Sequence, residues 1–151
     1  MKFFIVLILN SLLIYAGSGD AKIDCKSGSG RSTLSFLDQD IQGQFQGGTF
    51  TVDNKSIEYL PQYNSQTNKN NPVSWMIVNM KEGVYTLFYQ DTKHTLNFYA
   101  LPDSMKRVKK DLGNEEHYLF SAIVDWRSTD PRNKEQLKKQ IWLTCTMEYA
   151  I

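Results

Sequence analysis

The sequence is short of the residues on which most catalysis depends. It has only two cysteines and two histidines among 151 residues. Its charge is close to balanced, with 17 basic side chains against 16 acidic ones and a net charge of +1. A general nucleic-acid binder needs a strongly basic face, so nucleic acid is not expected as a partner. A zinc site needs three or four clustered ligands. His94 has Asp91 nearby and His117 follows Glu115 and Glu116, but neither spacing is that of a metal site. Both histidines fall beside expected hairpin turns, which predicts surface positions for them. No metal and no cofactor are expected.

Nucleophilic chemistry lacks its signatures too. There is no Gly-x-Ser-x-Gly elbow to bring a serine to a histidine and an acid. The acids that could pair for glycoside hydrolysis, such as Asp38, Asp40, Asp125 and Glu148, include no pair that the sequence singles out. The chain is therefore expected not to be an enzyme.

Long hydrophobic runs are absent, with one exception. Met1 and Lys2 precede an apolar stretch, Phe3 to Leu9 and Leu12 to Ile14, interrupted by Asn10 and Ser11. A positive start, an apolar middle and the small-residue exit "YAGSGDA" predict a secretory signal peptide over 1–21, cleaved between 16 and 21. The run is shorter than the roughly 20 apolar residues of a membrane-spanning helix. No other segment approaches that length, so the mature chain, 22–151, is expected to have no membrane span. Its roughly 130 residues make one exported domain, periplasmic or extracellular.

In an exported chain an even cysteine count reads as a disulfide, and only Cys25–Cys145 is available. The alternative is two buried free thiols. Closing so long a loop is worth about 4 to 5 kcal/mol in the chain-entropy model. Side-chain alternation places both cysteines. In "IWLTCTMEYAI", residues 141–151, Ile141, Leu143, Cys145, Met147, Tyr149 and Ile151 share a face, with Trp142, Thr144, Thr146 and Glu148 opposite. In "KIDCK", Ile23 and Cys25 share a face. The first and last strands are predicted to be neighbours.

Between them the chain reads as further strands. "STLSFLD", "GTFTVD" and "KSIEYL" are short ones, and the Gly- and Gln-rich "QDIQGQFQGG" suits a turn or irregular edge. The polar stretch 61–72, framed by prolines, reads as a mobile loop. "VSWMIVNM", "VYTLFYQ" and "HTLNFYAL", separated by "KEG" and "DTK", predict a three-stranded meander from Val73 to Leu101. Several of its strands are apolar on both faces, as central strands covered on both sides would be. The alternative is an exposed patch of Tyr85, Tyr89 and Tyr99. "PDSMKRVKKDLG" offers a helical stripe of Met105, Val108 and Leu112, yet its place before the strand "HYLFSAIVDW" favours a hairpin. Asp130 before Pro131 fits a helix start, so one or two helical turns or a basic loop are expected before the last strand. Eight or nine strands with little helix make an all-β antiparallel sandwich or small barrel.

What remains are candidate binding features. Lys106, Arg107, Lys109 and Lys110 form the densest charge and could meet anionic lipid or an acidic protein; as lysines on an edge strand they would also block sheet-to-sheet pairing. Small exported inhibitors of lysozyme resemble the chain in size, leader and β content. Ser29 and Gly30 match the start of their Ser-Gly-x-x-Tyr loop, but Thr33 stands where the tyrosine belongs, and the segment reads as a hairpin turn. Asn54-Lys55-Ser56 is a glycosylation sequon. The expected function is an exported β-sheet binding protein for an unknown protein or cell-envelope component. A small-ligand carrier with an apolar barrel cavity is the alternative, as is an inhibitor or immunity-type protein.

Overall fold

The computed structural model describes residues 19–39, 41–61, 72–108, 115–129 and 136–150. Residues 1–18 of the proposed signal peptide, the 62–71 part of the loop, Leu112 and the proposed helix start at Asp130 and Pro131 lie outside them. Ala21, the last residue of that peptide, is buried at the start of the first strand. The strands are β1 (Ala21–Ser27), β2 (Thr33–Gln39), β3 (Gln44–Val52), β4 (Lys55–Tyr59), β5 (Val73–Asn79), β6 (Val84–Gln90), β7 (His94–Ala100), β8 (Lys106–Val108), β9 (Glu115–Thr129) and β10 (Gln136–Ala150). Of the two expected architectures the chain takes the curled one. All strands join a single antiparallel sheet that bends into a half-barrel.

The order across the sheet is β4-β3-β2-β1-β10-β9-β7-β6-β5, with β8 on the flank of β9. It therefore consists of two meanders that meet where β1 pairs with β10. Cys25 lies directly opposite Cys145 in that pairing, and the two form the expected disulfide.

Alternation buries one face of most strands, β5 and β8 excepted. Ile23, Leu34, Phe36, Phe50, Leu87, Leu96, Phe98, Phe120, Val124, Leu143 and Met147 fill the concave side. Aromatic rings pack edge to face there, with centroids 5.3 Å apart for Phe36 and Phe98 and 6.3 Å for Phe50 and Trp126. Burying such side chains stabilises a domain by about 2 kcal/mol each before entropy is subtracted.

Several local expectations are revised. "QDIQGQFQGG" has its expected turn at Ile41–Gly43 and an irregular register against β2 between Phe36 and Asp38, but β3 extends back through Gly47 and Gly48 to Gln44. The residues from Gln136 to Gln140 are strand, not helix or loop, because the ladder to β9 continues to Gln136 opposite Thr129. Met105 and Val108 do not share a helix, since Lys106–Val108 pairs with β9, as the hairpin reading expects. Tyr85 and Tyr89 are not exposed; they point inward and are buried, while Tyr99 faces outward and is half-buried. Nor is the meander covered on both sides, since Val73, Trp75 and Ile77 are exposed on its outer face.

Candidate binding surface

The outward side chains of β5, β6 and β7 share one property: none is charged. β5 turns out Val73, Trp75, Ile77 and Asn79; β6 turns out Val84, Thr86, Phe88 and Gln90; β7 turns out Thr95, Asn97 and Tyr99. The register sets Trp75 opposite Phe88 and Ile77 opposite Thr86. The rings of Trp75 and Phe88 stack with centroids 5.4 Å apart. Val73, Trp75 and Ile77 remain 50%, 47% and 54% exposed. The row through Thr86 and Tyr99 continues to Ile123 on β9, which is buried, and to Trp142 on β10, which is 60% exposed. Contiguous apolar surface of this kind marks an interaction site more often than isolated exposed residues do.

One end of this face is bordered by cations. Thr95 lies opposite Arg127, and Arg127 lies opposite Lys138. Lys93 sits in the β6–β7 turn beside them. All three are exposed, and none makes an ion pair among the described residues. Like charges directly across a strand pair repel, so this row accumulates positive potential. Asp125, two residues before Arg127, is already engaged: it accepts from Gln140 Nε2 at 3.0 Å. Burial and the Asp125 carboxylate together raise the pKa of the Tyr99 phenol.

The expected basic cluster is reduced. Lys106 and Arg107 are exposed on β8, and Lys109 and Lys110 lie outside the described residues. Arg107 is paired with Glu116, whose carboxylate also accepts from the Tyr118 and Tyr149 hydroxyls, each at 2.8 Å. Burial would raise the pKa of Glu116, but the hydrogen bonds from Tyr149 and Tyr118 and the charge of Arg107 outweigh it and hold it below its ordinary value. An arginine so engaged has less charge to offer a partner.

Neither histidine is a surface residue. The side chains of His94 and His117 are only 18% and 13% exposed. His94 stacks on Trp126 with centroids 6.1 Å apart and meets the edge of Tyr59. Its Nδ1 lies 3.4 Å from Asp91 Oδ1. Asp91 also accepts from the backbone N–H groups of Lys93 and His94, at 2.8 and 2.7 Å. Burial pushes the Asp91 pKa up, but the hydrogen bonds from His94 and the two backbone groups prevail and lower it. This carboxylate organises the β6–β7 turn, as turn aspartates commonly do. The nearby Tyr59 hydroxyl accepts from Trp126 Nε1 at 3.1 Å.

The histidines are not brought together. His94 is opposite Ser128 and His117 is opposite Glu148, which places them roughly 35 Å apart along β9. Among the described residues no group of three or more His, Cys, Asp or Glu could hold a metal ion. Ser27–Arg31 forms a hairpin turn, with Gly30 at φ +73° and its N–H donating to Ser27 O. Asn54 is exposed in the β3–β4 turn at φ 66°.

Sequence reasoning missed the uncharged face and the Arg127–Lys138 row. The signal was present in "VSWMIVN", whose alternate residues Val73, Trp75 and Ile77 are all large and apolar. Comparison with known proteins finds no matching family model and no similar curated protein or solved structure.

Proposed function

We propose that the chain is an exported, non-catalytic β domain that binds a macromolecular partner through the outer face of β5–β7. The observation that carries this reading is that Val73, Trp75 and Ile77 are half-exposed on a face without a charge. Leaving such side chains in water forgoes about 1 kcal/mol or more each, which a partner would recover. Support for export comes from the disulfide, since such bonds persist in oxidising compartments. No helix among the described residues is long and apolar enough to cross a membrane. Rings in mutual contact occupy the concave side, so the convex side is the better place for recognition than an internal cavity.

A photo-crosslinking residue at position 75 tests this in the native host. A discrete adduct from position 75, with none from the outward Thr146 on β10, is the expected result. Absence of any adduct from position 75 counts against the surface. Hydrolysis by the purified protein that disappears on changing His94 or Asp91 would replace binding with catalysis.

A further inference from the structure

We propose that the end of the outer face beside the β6–β7 turn docks on an anionic lipid bilayer. The inference rests on the binding reading above and names its partner.

Three observations converge at that end. Val73 opens β5, Lys93 sits in the turn, Arg127 lies near the end of β9, and Lys138 lies near the start of β10. Antiparallel pairing brings these positions to one end of the sheet, through Val73 opposite Gln90, Gln90 opposite Thr95, Thr95 opposite Arg127 and Arg127 opposite Lys138. Trp75 follows one row further in. The apolar members are strongly exposed, Val73 at 50% and Trp75 at 47%.

The nearby carboxylates of Asp91 and Asp125 are already held by hydrogen bonds from His94, the turn N–H groups and Gln140, and the cations are not. Lys93, Arg127 and Lys138 make no ion pair among the described residues, although other exposed cations of the chain do, such as Lys22 with Asp24 at 2.9 Å. A directly opposed Arg127–Lys138 pair is unfavourable in the free protein and becomes favourable beside an array of phosphates. Apolar side chains and cations on the same rim match the two layers of a bilayer surface, with tryptophan favoured at the boundary between them. A protein partner of ordinary charge would match the apolar half and leave the cationic row unanswered.

Each cation near an anionic surface raises affinity about fivefold, so three together give about a hundredfold. The experiment is flotation of the mature, oxidised protein with vesicles of phosphatidylcholine alone or with phosphatidylglycerol added. The expected result is binding at least tenfold tighter to the anionic vesicles and weakening with salt. R127E/K138E should lose more than tenfold on the anionic vesicles. Trp75→Asp should lose binding even at low salt. R127E/K138E should keep the wild-type unfolding midpoint, whereas Trp75→Asp gives up the stack on Phe88 and should lower the midpoint modestly while the protein stays folded.

Equal binding to both vesicles, no binding to either, or binding indifferent to these substitutions overturns the proposal. If vesicles fail while position 75 crosslinks to a protein, the surface stands and the lipid assignment falls. If both fail, both fall. Self-association that Trp75→Asp abolishes would give the face to a second copy and also overturn it.

Discussion

The phenol of Tyr85 donates a hydrogen bond of 2.8 Å to Asp38 Oδ2 across the interior of the half-barrel. It joins β2 to β6, in opposite meanders. Asp38 is fully buried, and its Oδ1 accepts from the Gln44 backbone N–H at 2.8 Å. One carboxyl group thus caps the β2–β3 turn and ties it to the far wall. That wall is close: a side chain at Gly43 would meet the Met76 carbonyl oxygen at 3.2 Å.

Removing the Asp38 carboxyl should be costly. Asp38→Ala leaves the Tyr85 hydroxyl and turn N–H groups unsatisfied, and is expected to lose about 3 kcal/mol in urea unfolding. Asp38→Asn should lose about 1 kcal/mol, since its amide oxygen can accept from Gln44 while its NH2 donates to the Tyr85 oxygen. Equal losses for the two variants would show that this bonding is not what matters at the site.

The pH dependence should run in opposite directions at two sites. Burial raises the pKa of Asp38, the bonds from Tyr85, Gln44 and Gly43 oppose it, and the charge of Asp20 adds to it. A raised folded-state pKa contributes stability below the unfolded value, about 4, that is lost as pH rises through the folded value. Glu116 is lowered, so its contribution is present above the unfolded value and is lost as pH falls. The cost of Asp38→Asn should therefore shrink as pH rises from about 3 to 7, while that of Glu116→Gln grows. Unfolding midpoints over that range check this, and parallel trends would contradict it.

Loss of the disulfide should destabilise the protein by about 2 to 5 kcal/mol. The double variant C25A/C145A should unfold at the same denaturant concentration with and without reductant. The wild type should fall to nearly that midpoint when reduced under denaturing conditions.

Two glycines make a matched test of the β2–β3 irregularity. A Cβ at Gly48 would lie 2.4 Å from the Ser35 carbonyl oxygen, whereas one at Gly28 would meet nothing within 4 Å. Gly48→Ala is expected to cost more than about 2 kcal/mol, and Gly28→Ala less than about 0.5 kcal/mol, by thermal unfolding.

The strands, their inward faces and the sulfur bridge were legible because period-two alternation is local. Leu143, Cys145 and Met147 announce a buried face within five residues. The extent of β9 and β10 was not legible, since "QLKKQ" resembles a polar loop until the ladder to β9 gives its backbone partners. The fate of Tyr85 and Tyr89 was hidden for a different reason. β6 alternates two apolar sets, and only the direction of curl decides which lies inside. Asp38 was passed over as an ordinary acid, because its partner Tyr85 is remote in sequence. The cationic row needed register as well, since Arg127 and Lys138 become neighbours only through the β9–β10 pairing.

The first strand of the sheet is also one of its central ones, with β2 on one side and β10 on the other. A chain made from its amino end must hold β1 half-paired until β10 arrives. For that interval its open side is a template for any stray strand. The thiol of Cys25 waits on the same strand for a partner 120 residues away. Oxidation there rivets the ladder that joins the two meanders, and so turns closure of the sheet into a covalent event.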